Sequence, residues 1–116
     1  MSPRVWQLRI EDVLEQITDI ENFLKGVTQE SFQSDKKTYN AVIRSLEVIG
    51  EAVHHLPDEI KDKYSEIPWR KMKDFRNVLI HEYFGVDNEI VWKTITEQLV
   101  PLRGTLEKIL IENPRS

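Results

Sequence analysis

The sequence contains no cysteine, which excludes disulfide frameworks, thiolate nucleophiles and zinc sites built on cysteine. Glycine is scarce, 4 in 116 residues, and no window alternates β-branched with polar residues, so no strand presents itself. Uncharged apolar runs last only a few residues, too short to span a bilayer, so no membrane association is expected. The opening MSPRVWQLRIEDVLEQ takes on charge at once and never builds the apolar stretch of a secretory signal, which predicts a cytoplasmic protein. Any chemistry must come from His, Tyr, Arg and carboxylates.

What is present is a helical period. Ile10, Val13, Leu14, Ile17, Ile20 and Leu24 recur at steps of 3 and 4, which predicts a first helix over Val5–Lys25 stopped by Gly26. TQESFQSDKK reads as a polar connection, with Ser34 or Asp35 able to cap a second helix that runs to Leu56, where Pro57 ends it. In that helix Tyr39, Val42, Ile43, Leu46, Ile49, Gly50, Val53 and Leu56 share one arc. Ala41, Val48 and Ala52 form a second, small-residue flank, and two apolar flanks imply two packing partners. A short turn is expected over Asp58–Tyr64. A third helix, with Pro68 in its first turn, turns Trp69, Met72, Phe75, Leu79 and Val78 inward and ends near His81. After HEYFGVDN, with Asp87 or Asn88 as cap, Ile90, Val91, Ile95, Leu99, Leu102, Leu106 and Ile109 repeat in a last helix that Pro101 should kink or split. One all-α domain over 1–116, an antiparallel up-and-down bundle of four to five helices, is the expected fold.

The net charge of −4 hides an asymmetry. Residues 1–60 carry 6 basic and 11 acidic side chains, whereas residues 61–76 carry 6 basic and 3 acidic ones. This single basic island, KDKYSEIPWRKMKDFR, contains Arg70, Lys71 and Lys73 as candidate RNA contacts; from charge alone the plainer reading is a solvated face. Asn40, Arg44, Glu47, Glu51 and His55 share the polar face of the second helix, with Arg44–Glu47 and Glu51–His55 spaced for pairing.

The island ends at RNVLIHEYFGVD. Arg76, His81 and Tyr83 lie there beside a glycine turn. His takes and gives protons near neutral pH, and Arg offers a forked, permanent charge for phosphate oxygens, a pair suited to cleaving a phosphodiester. Five residues place His81 about 140° around an ideal helix from Arg76, so the two converge only if the helix ends or distorts there. With a single histidine in the motif and a second apolar flank on the second helix, a two-fold dimer would supply both an acid and a base. The plainer alternatives are a helix C-cap for His81, an ion pair with Asp74 or Glu82 for Arg76, and a half-buried ring for Tyr83. His54 and His55 read as surface histidines. Adjacent histidines diverge by about 100° and no third ligand follows, so no metal site is expected.

RSLEVIGEAV followed by EIPWRKMKDFRNVLIHEYFGVDNEIVW resembles the HepT-like family within the HEPN superfamily, over roughly Tyr39–Leu102. The pattern Arg, four residues, His, any residue, Tyr is met by Arg76, His81 and Tyr83. The resemblance implies a homodimeric, metal-independent endoribonuclease that needs no cofactor and acts as the toxin of a type VII HepT/MntA-like toxin–antitoxin system. Arg76 and His81 would be catalytic. An MntA-like minimal nucleotidyltransferase would be the antitoxin, silencing the toxin by adenylylation of Tyr83, and Asn40, Arg44, Glu47 and Glu51 match positions that line the cleft. Two other functions fit the same residues: a non-catalytic nucleotide-binding or regulatory subunit of a minimal nucleotidyltransferase, and a structural helical adaptor.

Overall fold

A computed structural model describes residues 5–81 and 88–115, with side chains described for all of these except 77–81. The described residues form an all-α antiparallel bundle, as the periodicity and the HEPN resemblance both imply. The elements are α1 (Trp6–Phe23), α2 (Gln29–Ser34), α3 (Lys36–His54), α4 (Asp58–Lys63), α5 (Trp69–His81), α6 (Asn88–Lys93) and α7 (Arg103–Glu112). A π turn over Thr94–Leu99 and a 3₁₀ turn over Val100–Leu102 join α6 to α7.

α3 lies between α1 and α5, so its two apolar flanks are both covered within one chain. They therefore give no separate indication of a second copy. α1 in turn packs against α7. The antiparallel sense shows at both ends of that pair: Gln7 Nε2 donates to the Asn113 carbonyl at 3.3 Å, and Arg103 bonds Thr18 Oγ1 at 3.0 Å and pairs with Glu21. One core runs through Ile10, Val13, Ile17, Ile20, Leu46, Ile49, Met72, Ile95, Leu99, Leu106 and Ile109, all shut off from solvent. Each such side chain is worth about 1.5–3 kcal/mol of burial.

Helix boundaries follow local chemistry. Gly26 stops α1 in the left-handed region at φ 72°, a conformation that costs a residue with a Cβ. Of the two cap candidates for α3, Asp35 is the one used: its carboxylate accepts from the Thr38 N–H at 3.1 Å and the Thr38 hydroxyl at 2.6 Å. Those bonds hold the Asp35 carboxyl below its ordinary value.

The stretch taken as a polar connection contains α2. Thr28 and Ser31 close a reciprocal capping box, each side chain accepting from the other's backbone N–H at 3.0 Å. Phe32 then plugs into the core against Tyr39 and Trp92, with ring centroids 5.7 and 5.5 Å away. A single buried aromatic makes no period, which is why the sequence pattern conceals this helix.

Two further differences lie in the last helical run. Ile90, counted into the apolar repeat, is 63% exposed, whereas its neighbour Val91 is buried. Pro101 acts as expected but spreads its effect over two turns. It has no N–H and its ring crowds the Glu97 carbonyl, so the preceding turn widens and Val100 N–H reaches back to the Ile95 carbonyl. α5 begins at Trp69, one residue after Pro68, and is anchored by Trp69 Nε1 donating to the Tyr64 carbonyl at 3.0 Å.

Candidate functional site

A groove of about 350 Å³ opens between α1, α3 and α5. α3 supplies Arg44, Glu47, Val48, Glu51 and Ala52, at helical steps that put all five on one arc. Arg9 and Asp12 come from α1, and Arg76 from α5. The lining therefore alternates three guanidinium groups with three carboxylates over a small apolar floor of Val48 and Ala52.

Arg76 is the residue this geometry fixes most firmly. Its Nη1 forms an ion pair with Glu51 Oε2, a contact spanning 25 residues of sequence. On the other side of the same carboxylate, His55 Nε2 donates to Glu51 Oε1 at 2.9 Å. The Glu51 carboxyl is accordingly held below the usual glutamate range, first by the Arg76 hydrogen bond and then by the one from His55. Beneath the pair sits Gly50. A Cβ there would lie 2.9 Å from the Arg76 backbone nitrogen, 3.0 Å from the Arg76 Cβ and 3.1 Å from the Lys73 carbonyl. Only glycine lets α5 lie this close to α3 at the level of Arg76.

The pair remains open to solvent: Arg76 exposes 30% of its side chain and Glu51 48%. It therefore adds little to stability. A guanidinium has five donors, and one carboxylate does not exhaust them, so the geometry leaves capacity for a phosphate oxygen. The described partner of Arg76 is thus Glu51 on another helix, whereas Glu82, one of the two acids considered from the sequence, lies outside the described residues. His54, one helical step beyond the groove, is held below the ordinary imidazole value of 6.5 by partial desolvation and then by the charges of Arg76 and Lys73.

Of the residues expected to line a cleft, the groove gathers Arg44, Glu47 and Glu51 with Arg76. Asn40, one turn toward the start of α3, is exposed and is not part of the lining. The two spacing-based pairs are present: Arg44 Nη1 lies 3.6 Å from Glu47 Oε2, and Glu51 meets His55. In the basic island Arg70 and Lys71 are exposed and outside the groove, whereas Lys73 is half-buried one turn before Arg76. His81 is the last residue of α5, its side chain outside the described residues; Tyr83 lies wholly outside them. Arg9 and Asp12 were not foreseen. They occupy ordinary polar positions beside the Ile10–Val13 stripe, and nothing in that pattern says that this edge of α1 faces the polar arc of α3. Among the described residues, no group of three or more His, Asp or Glu side chains is placed to hold a metal ion. No helix among them is long and apolar enough to cross a membrane.

With Arg76 placed on the groove, comparison with known proteins decides the family. The family described as Ribonuclease HepT-like matches residues 13–109. The chain belongs to the HepT-like family. A protein of Thermococcus cleftensis named "Probable ribonuclease HepT" is 48% identical over 100 residues, covering 86% of this chain and 91% of the relative. A relative in Methanocaldococcus jannaschii is 48% identical over 99 residues, 85% of this chain and 82% of the relative. Another, in Caldanaerobacter subterraneus subsp. tengcongensis, is 40% identical over 101 residues, 87% of this chain and 90% of the relative. Both carry names that mark them as candidate RNases. No solved structure matches the chain at a significant level. The HepT-like match spans α3 and α5 entirely, and with them the groove residues other than Arg9 and Asp12.

Proposed function

We propose that this chain, as one domain over 1–116, is a metal-independent endoribonuclease of the cytoplasm and the toxin half of a HepT/MntA-like toxin–antitoxin pair. The observation that carries the reading is Arg76, held by Glu51 over Gly50 in an open groove, with His81 five residues further along the same helix. Arg76 binds the scissile phosphate and stabilises the charge that builds on its non-bridging oxygens. His81 accepts the proton of the 2′-OH, whose oxygen attacks phosphorus; the 5′-oxygen leaves with a proton from an acid, giving a 2′,3′-cyclic phosphate and a 5′-hydroxyl. His81 of a second copy, in a two-fold homodimer that joins two grooves, supplies that acid.

Tyr83 is the switch. Adenylylation of its hydroxyl by an MntA-like minimal nucleotidyltransferase adds bulk and negative phosphates two residues from His81, and these compete for the charge that Arg76 offers to substrate. Arg70, Lys71 and Lys73 lend positive potential for RNA along α5.

Intact mass of the chain produced alone and with its nucleotidyltransferase, followed by incubation of each form with RNA, tests the whole proposal. The expected result is cleavage by the unmodified chain and none by a form carrying AMP units on Tyr83. Absence of both cleavage and mass gain favours the second reading, a regulatory nucleotide-binding subunit. The observation on its side is the groove's balance of three carboxylates against three arginines.

A further inference from the structure

From the lining of the groove, we infer that it binds single-stranded RNA around the scissile phosphate and seats one base, with Arg9 and Arg44 on the phosphates to either side of the scissile one and Glu47 on the base edge. The inference rests on the ribonuclease reading for the word scissile alone; the binding chemistry stands on the groove itself.

Three features of the lining correspond to the three parts of a nucleotide. Arg9 and Arg44 stand on the same groove as Arg76, so a backbone phosphate at Arg76 has cationic partners on α1 and α3 for its neighbours. Val48 and Ala52 give an apolar floor for a ribose or the face of a base. Glu47 offers acceptor oxygens, which suit the exocyclic amino groups of cytosine, adenine and guanine and have no donor of that kind to meet on uracil. A volume of about 350 Å³ is at the lower end for small-ligand sites, room for one such unit and no more.

Arg44 can make the required move. It exposes 75% of its side chain, and its 3.6 Å separation from Glu47 exceeds hydrogen-bond length. Turning onto a phosphate costs it little and leaves Glu47, 28% exposed, facing the ligand's donors. The strand must be single, because in an A-form duplex the base edges are paired and the major groove is too narrow for side chains to read.

The test is binding by fluorescence anisotropy of labelled ten-nucleotide oligo-C and oligo-U to the His81→Ala chain, as a function of salt. Arg9→Ala and Arg44→Ala are each introduced into that parent, with Lys108→Ala, an exposed position of α7, as a charge control and Arg9→Lys as a conservative variant. The expected result is a Kd raised roughly 10-fold for each alanine variant, and a salt slope shallower by about 0.7 per arginine, the amount for one single-strand phosphate. Arg9→Lys should stay within about 3-fold of the parent, since it keeps the charge. Oligo-C should bind at least about 5-fold tighter than oligo-U, and Glu47→Gln, whose amide both accepts and donates, should narrow that gap. Affinity within 2-fold of the parent for both arginine variants, or an effect no larger than that of Lys108→Ala, overturns the inference. So does equal binding of the two oligomers. A wild-type chain that shows this binding pattern but never cuts RNA removes the ribonuclease reading and leaves the subsite; one that cuts RNA with no dependence on Arg9 or Arg44 does the reverse.

Discussion

At the scale of single residues, the site turns on one carboxylate. Glu51 is bonded on one oxygen by Arg76 and on the other by His55. A carboxyl whose folded value lies below its unfolded one contributes stability above the unfolded value and loses it as pH falls through the folded value. For Glu51 that window begins near the ordinary 4.5 and extends downward, and exposure keeps the amount small. Arg76 is therefore restrained throughout the neutral range. The pH–rate profile should show no limb near 4.5. Glu51→Gln should lower the plateau of that profile by about 10-fold without changing its shape, a split that rate measurements at saturating RNA resolve.

His54 gives an independent check that Arg76 sits where the geometry places it. A histidine held low favours its neutral form in the folded state, so its contribution is present above about 6.5 and lost as pH falls below. Arg76→Ala removes one of the charges that lower it, so the His54 ring should titrate at higher pH in the variant, as followed by NMR. An unchanged midpoint would mean the two side chains are further apart than described. Legibility at this scale divides by sequence distance. Glu51–His55 and Arg44–Glu47 were readable because helical spacing alone brings them together, whereas Glu51–Arg76 depends on how α5 docks onto α3 and no local pattern encodes it.

Among elements, the contact of α3 with α5 depends on Gly50. Gly50→Ala pushes a methyl against the Arg76 backbone nitrogen 2.9 Å away, and backbone cannot yield as a side-chain end can. It should cost about 1–3 kcal/mol, seen as a lowered Tm, together with a fall in cleavage rate as Arg76 is displaced. Gly104 is the contrasting case, exposed on α7 with nothing within 4 Å of an added Cβ. Gly104→Ala should raise stability by about 0.4–1 kcal/mol and leave cleavage unchanged. If both glycines respond alike, close packing at Arg76 is not what Gly50 provides.

The long helices were readable to within two or three residues because their apolar stripes repeat over many turns. α2 escaped because Phe32 is alone in it. Ile90 was misplaced because Val91, Ile95 and Leu99 already carry the buried stripe at steps of four, and the residue next to Val91 points about 100° away from it.

For the whole molecule, antiparallel packing brings the first half of α1 beside the second half of α3, and that docking builds the groove. The polar positions of each helix were visible separately, but their meeting was not, so the place of Arg9 and Asp12 on the groove emerges only in three dimensions. The Cα radius of gyration, 14.6 Å, and extents of 46 × 28 × 28 Å describe an elongated body, against about 13 Å for a spherical chain of this length. Under the proposed mechanism, a second copy paired across a two-fold axis supplies the second proton-transfer group. Mixed dimers with one Arg76→Ala chain should then keep about half the activity if each half-site works alone, and far less if the two grooves share one substrate.

The most direct measurement is RNA cleavage by the purified chain in the presence of a chelator, comparing wild type with Arg76→Ala and His81→Ala and analysing the product ends. Wild type should cut and leave 2′,3′-cyclic phosphates, and each variant should be slower by at least about 100-fold with unchanged circular dichroism. Cleavage that needs added metal, or that survives in a folded Arg76→Ala chain, would contradict the assignment of Arg76 and His81 as the groups that do the chemistry.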